Sequence, residues 1–251
     1  MQRWAGRVAL VTGASSGIGR AVASSLVQHG MKVIGCSIDV ERIQDLAKTA
    51  NKGKGALFAE KCDVSREEEI LGLFKRIKAE HGGVDLCING AGLSENAPLL
   101  SGKTAQWRNM LEVNVLGLSI CTREAYTSMK ERNVTDGQII HIGSLSGHRV
   151  KPLPDLHFYC ATKFAVRALL EGLRHEIKAE KSNIRVSAIS PGVVDTDFVV
   201  RMFGAEAAKK MHANAQPLYA EDIKDTLIHI LSAPPHVEIH DVLMRSTSQP
   251  H

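Results

Sequence analysis

The sequence predicts an α/β fold, a doubly wound parallel sheet of about seven strands with helices on both faces. Three observations carry this expectation. Short apolar runs alternate with amphipathic stretches along all 251 residues. A glycine-rich turn follows the first run at once, and no internal repeat, low-complexity tract or linker interrupts the alternation.

The strand-like runs are residues 7–11, 32–36, 56–59, 84–88, 138–142, 184–189 and 238–243. The amphipathic stretches between them are 18–29, 40–49, 66–80, 104–131, 159–180 and 220–232. Ser65-Arg66-Glu67-Glu68 reads as a capping box that starts the third helix. Alternation of this kind implies right-handed crossovers and a sheet covered on both faces. The chain reads as one domain, 1–251, whose least regular stretch, 193–217, is expected to form a substrate lid.

Composition narrows the function. At 44% hydrophobic and 23% charged residues, the chain has material for a sizeable core. The net charge of +4 is spread out, without aromatic interleaving, which argues against nucleic acid. No secretory segment precedes the first strand and no apolar run is long enough to span a bilayer, so a cytoplasmic location is expected. Five scattered cysteines without a C-x-x-C pair suit reduced thiols, and Cys160 reads as a small packed side chain. The eleven histidines show no metal-ligand spacing, so no metal is expected. Asn133-Val134-Thr135 fits a glycosylation acceptor that a cytosolic chain would not use.

Two segments carry chemistry. In Thr12-Gly13-Ala14-Ser15-Ser16-Gly17-Ile18-Gly19 the glycines sit between first strand and first helix. Gly13 permits the tight turn, Gly17 a close backbone approach and Gly19 close helix–strand packing. The helix N-terminus then offers free N–H groups to a pyrophosphate. No G-K-[ST] is present, which excludes a triphosphatase P-loop. Downstream, Tyr159 and Lys163 lie four apart and share a helix face. Alone they would read as an ordinary surface pair. A nearby ammonium favours the phenolate and would lower the tyrosine from its ordinary value near 10, making it an acid or base.

In this order, with Asn114 and Ser144 between them, these motifs resemble the short-chain dehydrogenase/reductase family in its single-domain branch, over nearly the whole chain. The resemblance implies a Rossmann-like fold and NAD(P)(H). It assigns Asn114, Ser144, Tyr159 and Lys163 as catalytic residues. Ser144, past the fifth strand, would hold the substrate oxygen; Ser146 is its rival, at the family's commoner distance from Tyr159. Asn114 would bend its helix and support a water-linked proton relay to Lys163.

The same resemblance places the cofactor on Gly13, Ser15, Ser16, Gly17, Ile18 and Gly19, on Ile38 and Asp39, and on Asp63 and Val64 beside the adenine. Asn89, Ala91 and Gly92 follow the fourth strand, with Gly90 where the family has a second Asn. Pro191, Gly192, Val194 and Thr196 would meet the nicotinamide carboxamide, with Tyr159 and Lys163 at its edge. A carboxylate after the second strand favours NAD and repels the extra phosphate of NADP, so Asp39 leans towards NAD(H), whereas the nearest relatives lean towards NADP(H). Arg20 is the cation seen beside the glycine loop.

Ser144, Leu145, Leu93, Leu153, Phe198 and Met202 would line an apolar substrate pocket. The segments 118–126, 129–132 and 146–150 and the opening 3–7 resemble an animal subgroup that contains ketosteroid reductases and farnesol dehydrogenases. That implies a small lipophilic substrate: a ketosteroid, an isoprenoid alcohol or aldehyde, or a dicarbonyl. A homodimer or homotetramer through the two long helices is expected from the same resemblance. The competing readings are a silent nucleotide-sensing or scaffold protein on the same fold, and an isomerase or dehydratase of the longer branch.

Overall fold

Seven strands form at the seven apolar runs of the computed structural model, which describes residues 1–206, 208–209 and 215–249. They are β1 (Val8–Thr12), β2 (Lys32–Ser37), β3 (Ala56–Lys61), β4 (Leu86–Asn89), β5 (Gln138–Ile142), β6 (Arg185–Pro191) and β7 (Asp241–Met244). All pair in parallel, in the order β3-β2-β1-β4-β5-β6-β7. β1, β5 and β6 are buried at every position, as strands covered on both faces must be. The order turns back at β1 and β4, and the crevice beyond their carboxyl ends is where such sheets bind ligands.

The helices are α1 (Gly17–Gln28), α2 (Val40–Ala50), α3 (Glu67–His81), α4 (Thr104–Leu111), α5 (Leu118–Glu131), α6 (His157–Ala179), α7 (Asp197–Phe203) and α8 (Ala220–Ser232). One core joins β1, β4 and β6 to α1 and α8 through Val11, Leu26, Ile88, Ile189 and Leu227. The other covers the opposite face with α3, α5 and α6, through Leu10, Leu73, Cys121, Ile139 and Leu170. A third cluster, with Met110, Leu156, Tyr159, Cys160 and Met202, closes the site end. All five cysteines are reduced and buried, Cys160 among them. No helix among the described residues is long and apolar enough to cross a membrane.

Three sequence expectations change. The capping box is absent: Arg66 precedes α3 without a side-chain cap, and the Ser65 hydroxyl donates to Asp63 Oδ1 at 2.8 Å. Asp63, two residues back, captures the serine in a local turn before it can face the helix. The single helix expected at 104–131 is interrupted by a π-helical turn, Glu112–Gly117. The last strand starts later, because Glu238 accepts the Val186 N–H through its carboxylate at 2.7 Å instead of joining the ladder. Part of the expected lid, 193–217, lies outside the described residues; the rest carries α7 and a bridge from Val194 to Leu218.

Candidate active site

The carboxyl ends of the strands open into a cleft of roughly 670 Å³. One end is built by backbone. Gly17 has φ +51°, and a Cβ there would lie 2.9 Å from Thr196 Cγ2. A Cβ on Gly19 would lie 2.3 Å from the Gly13 carbonyl oxygen. Side chains are thus excluded from this turn. Ser16 places no side-chain cap on α1, which leaves the first N–H groups of the helix free to face an anion. These features fit the pyrophosphate of a dinucleotide. Ser15, Ser16, Ile18, Ile38, Asp39, Asp63 and Val64 line the same end; Ala91, Gly92, Pro191, Gly192, Val194 and Thr196 line the floor.

Two of the expected residues do not line the cleft itself. Asn89 is buried with its amide donating to Thr122 Oγ1 at 2.9 Å. The adjoining Gly90 and Ala91 N–H groups instead donate to Thr12 Oγ1, at 3.1 and 3.0 Å. A Cβ on Gly90 would come 2.8 Å from the Thr12 carbonyl, so β1 leaves no room for the asparagine of the related motif. Asn114 lies beneath the cleft wall, accepting from the Leu93 N–H at 2.9 Å and donating to the Leu93 carbonyl at 2.8 Å and to Thr162 Oγ1 at 3.1 Å. The π turn aims this side chain at both neighbours, joining the β4 loop to α6.

α6 presents Tyr159, Lys163, Val166 and Leu170 on its buried stripe, one turn apart, which brings the first two to the cleft. The Ser144 hydroxyl lies near enough to the Tyr159 hydroxyl to favour the phenolate, and it accepts the Ser146 N–H at 3.0 Å. Both serines line the cleft. Lys163 Nζ lies 5.8 Å from the Tyr159 ring centre and donates to the Ile142 carbonyl at 2.9 Å. Burial pulls the Lys163 ammonium down to about 8. Burial also pushes the Tyr159 phenol up, against a smaller opposing effect of the Ser144 hydrogen bond. The lowering expected from Lys163 is not realised with protein groups alone: desolvation of the phenolate dominates, and Lys163 does not contribute.

The serine loop is held from behind. His148 Nε2 lies 3.0 Å from Asp241 Oδ2 and 3.3 Å from Ser190 Oγ, and Ser190 Oγ donates to Asp241 Oδ1 at 2.9 Å. These are the residue types of a hydrolytic triad, but one nitrogen meets both partners and the serine already bonds the carboxylate, so the cluster positions the loop and activates no nucleophile.

Leu93, Leu145, Leu153, Phe198 and Met202 line the far end as expected, with Leu153 at the rim and Phe198 5.9 Å from the Tyr159 ring. Sequence reasoning missed Arg42. It lines the nucleotide end, with Nε 3.1 Å from Asp39 and Nη1 2.8 Å from Asp197. Arg20, the cation expected there, donates to the Arg42 carbonyl at 2.9 Å. Asp197 lies 155 residues from Arg42, so no local pattern could pair them.

The family profile described as short chain dehydrogenase matches residues 7–207. The chain is 55% identical over 253 residues to Dehydrogenase/reductase SDR family member 11 of Gallus gallus, covering 99% of each. It is 41% identical over 251 residues to Farnesol dehydrogenase of Aedes aegypti, again covering 99% of each. Among solved structures, the closed form of serine dehydrogenase complexed with NADP+ superposes with a TM-score of 0.87 at 31% identity, covering 97% of this chain and 96% of that one. A nucleotide cradle and a Ser–Tyr–Lys cleft on this sheet, with these relatives, establish that the chain belongs to the short-chain dehydrogenase/reductase family and is an NAD(P)-dependent oxidoreductase.

Proposed function

We propose that the protein interconverts a small lipophilic carbonyl compound and its alcohol by a tyrosine acid/base mechanism. The observation that carries this reading is the convergence of Ser144, Tyr159 and Lys163 in a cleft that also presents Leu93, Leu145, Leu153, Phe198 and Met202. The nicotinamide cofactor, when bound, supplies or accepts the hydride. Tyr159 Oη hands a proton to the substrate oxygen in reduction and takes it back in oxidation. The Ser144 hydroxyl donates to the same oxygen and steadies the charge that builds there. Lys163 holds the cofactor's ribose and favours the phenolate once its ammonium faces the site. Asn114 fixes the wall between Leu93 and Thr162, with which the relay towards Lys163 begins. Phe198, Met202 and Leu93 exclude water from the reacting carbon. The catalytic unit is the single domain 1–251, working in the cytoplasm as a homodimer or homotetramer.

Substrate chemistry follows the relatives: a ketosteroid, an isoprenoid alcohol or aldehyde, or a dicarbonyl. A panel of these with NADH and NADPH, read by absorbance of the reduced nicotinamide, tests the reading; no turnover of any member overturns it. NADH is the expected favourite. At the adenosine end the Arg42 guanidinium is shared by two carboxylates, Asp39 and Asp197, so it is engaged with acids and not free to receive a ribose phosphate. The expected result is a several-fold higher kcat/KM with NADH; a large NADPH advantage would sink that preference.

Within the site, Ser144→Ala is expected to cost about 10²-fold in kcat. Ser146→Ala should cost less than about tenfold, because its backbone N–H survives the change. Steady-state rates of both variants decide between them, and equal losses or the reverse order would move the role to Ser146.

A further inference from the structure

The substrate end of the cleft is largely apolar, with two cations that pair with no acid among the described residues. Lys151 lines the wall beside Leu153 and Leu156, and Arg201 lines it from the lid helix α7. Lys151 is half-buried, and its charge lies close enough to the Cys160 thiol, next to Tyr159, for the two to interact. Its backbone is anchored to α6: the Lys151 carbonyl accepts from His157 Nε2 at 3.1 Å and from the Leu153 N–H at 2.8 Å. The ammonium itself makes no hydrogen bond or ion pair with any described residue, and the same holds for the Arg201 guanidinium.

No described acid is bonded to either cation; Asp197, one turn before Arg201 on α7, is held by Arg42 at 2.8 Å. Asp39 and Asp63 belong to the nucleotide end. Glu95, outside the lining, accepts the Asn109 amide at 2.6 Å. Asp155, on the same loop as Lys151, is exposed and unpaired with it. Arg149 adds a like charge nearby, which together with burial pulls the Lys151 ammonium down. A half-desolvated cation beside a like charge is unfavourable unless an anion joins it.

We propose that Lys151, with the exposed Arg201 of the same lining, receives a carboxylate on the substrate, so that the preferred substrates are amphiphilic oxo or hydroxy acids: an apolar body with the reacting carbonyl at one end and a carboxylate at the other. The inference rests on the oxidoreductase reading above and adds the second recognition point that this reading lacks. An apolar pocket by itself orients a lipophilic ketone poorly, whereas a charge-assisted contact at the rim fixes which end enters first.

The test uses an ω-oxo fatty acid and its methyl ester, which differ in one negative charge. With the full-length protein and saturating NADH, kcat/KM for the acid should exceed that for the ester by about tenfold or more. Lys151→Met should bring the acid-to-ester ratio close to one, and Lys151→Arg should keep it. The same contrast should be seen in binding titrations followed by Trp107 fluorescence, since its indole stacks on Phe158 at 5.3 Å beside the pocket. An acid-to-ester ratio at or below one in the wild type, in rate or in binding, overturns the proposal, as does a ratio that Lys151→Met leaves unchanged. Tight binding of the acid without turnover of any carbonyl would instead tell against the proposed reaction and leave the carboxylate site standing.

Discussion

Tyr159→Phe is expected to lower kcat/KM by roughly 10²–10⁴-fold, the usual range for loss of a positioned general acid. The substitution removes one oxygen and keeps the ring that packs against Phe198. Melting temperature should therefore move little, and the loss should appear in rate. The environment of the phenol explains the size. Burial holds it neutral through the physiological range, which is the state a proton donor to a carbonyl needs. Reduction should thus run well at neutral pH, whereas alcohol oxidation, which needs the phenolate, should accelerate as pH rises. Single-turnover rates of wild type and variant across pH check both statements. A Phe variant that turns over at near wild-type rate would remove the tyrosine from the mechanism and restore the reading of a scaffold whose nucleotide is not spent.

Gly19→Ala is expected to be the most damaging single methyl in the chain's nucleotide end. Its Cβ would sit 2.3 Å from the Gly13 carbonyl oxygen and 2.8 Å from the carbonyl carbon, and both are backbone atoms that cannot swing aside. The first turn of α1 must retreat, and it carries the N–H groups on which the pyrophosphate depends. Overpacking of this kind costs about 1–3 kcal/mol, which lowers the melting temperature of a chain this long by roughly 2–12 °C. Cofactor affinity should fall by about tenfold or more, since the donors are displaced as well as the fold strained. Gly172→Ala makes the contrast. Its Cβ would meet nothing within 4 Å, in the middle of α6, so the change should stabilise by up to about 1 kcal/mol. Thermal melts and nicotinamide titrations on the two variants check the pair; a Gly19→Ala protein with normal affinity would show that the turn is not the anchor.

What the chain disclosed beforehand follows the range of the interactions involved. Alternating apolar runs and amphipathic stretches are local, and each of the seven strands lies within or beside its run. Tyr159 and Lys163 share one helix turn, so spacing put them on one face, and the glycine turn and Ser144 upstream pointed that face to the cleft. Features that depend on distant partners were not. Arg42 looked like an ordinary position on α2 until Asp197 came round to it. Asn89 belonged to a motif, yet its amide answers Thr122 on α5. The clasp of His148, Ser190 and Asp241 joins three separate segments. Ser65 shows the converse: a plausible local cap lost to an acceptor two residues away. The interruption of the long helix was foreshadowed only through Asn114, which the family resemblance expected to bend it. Hydrophobic periodicity continues through Glu112–Gly117 with no glycine or proline before Gly117 to mark a break, and the hydrogen-bond pattern gives the bend its π form.

That wide turn has a consequence for the phase of α5. It absorbs one residue more than a regular helical turn would, so rewinding it with all its residues kept would rotate everything after it by about 100°. Cys121, Ala125 and Met129, which now face inward, would swing off the interior, and charged neighbours such as Arg123 would swing towards it. Removing one letter at the same time would cancel that error, so a shortened stretch wound as plain helix keeps the fourteen residues of α5 on their present faces.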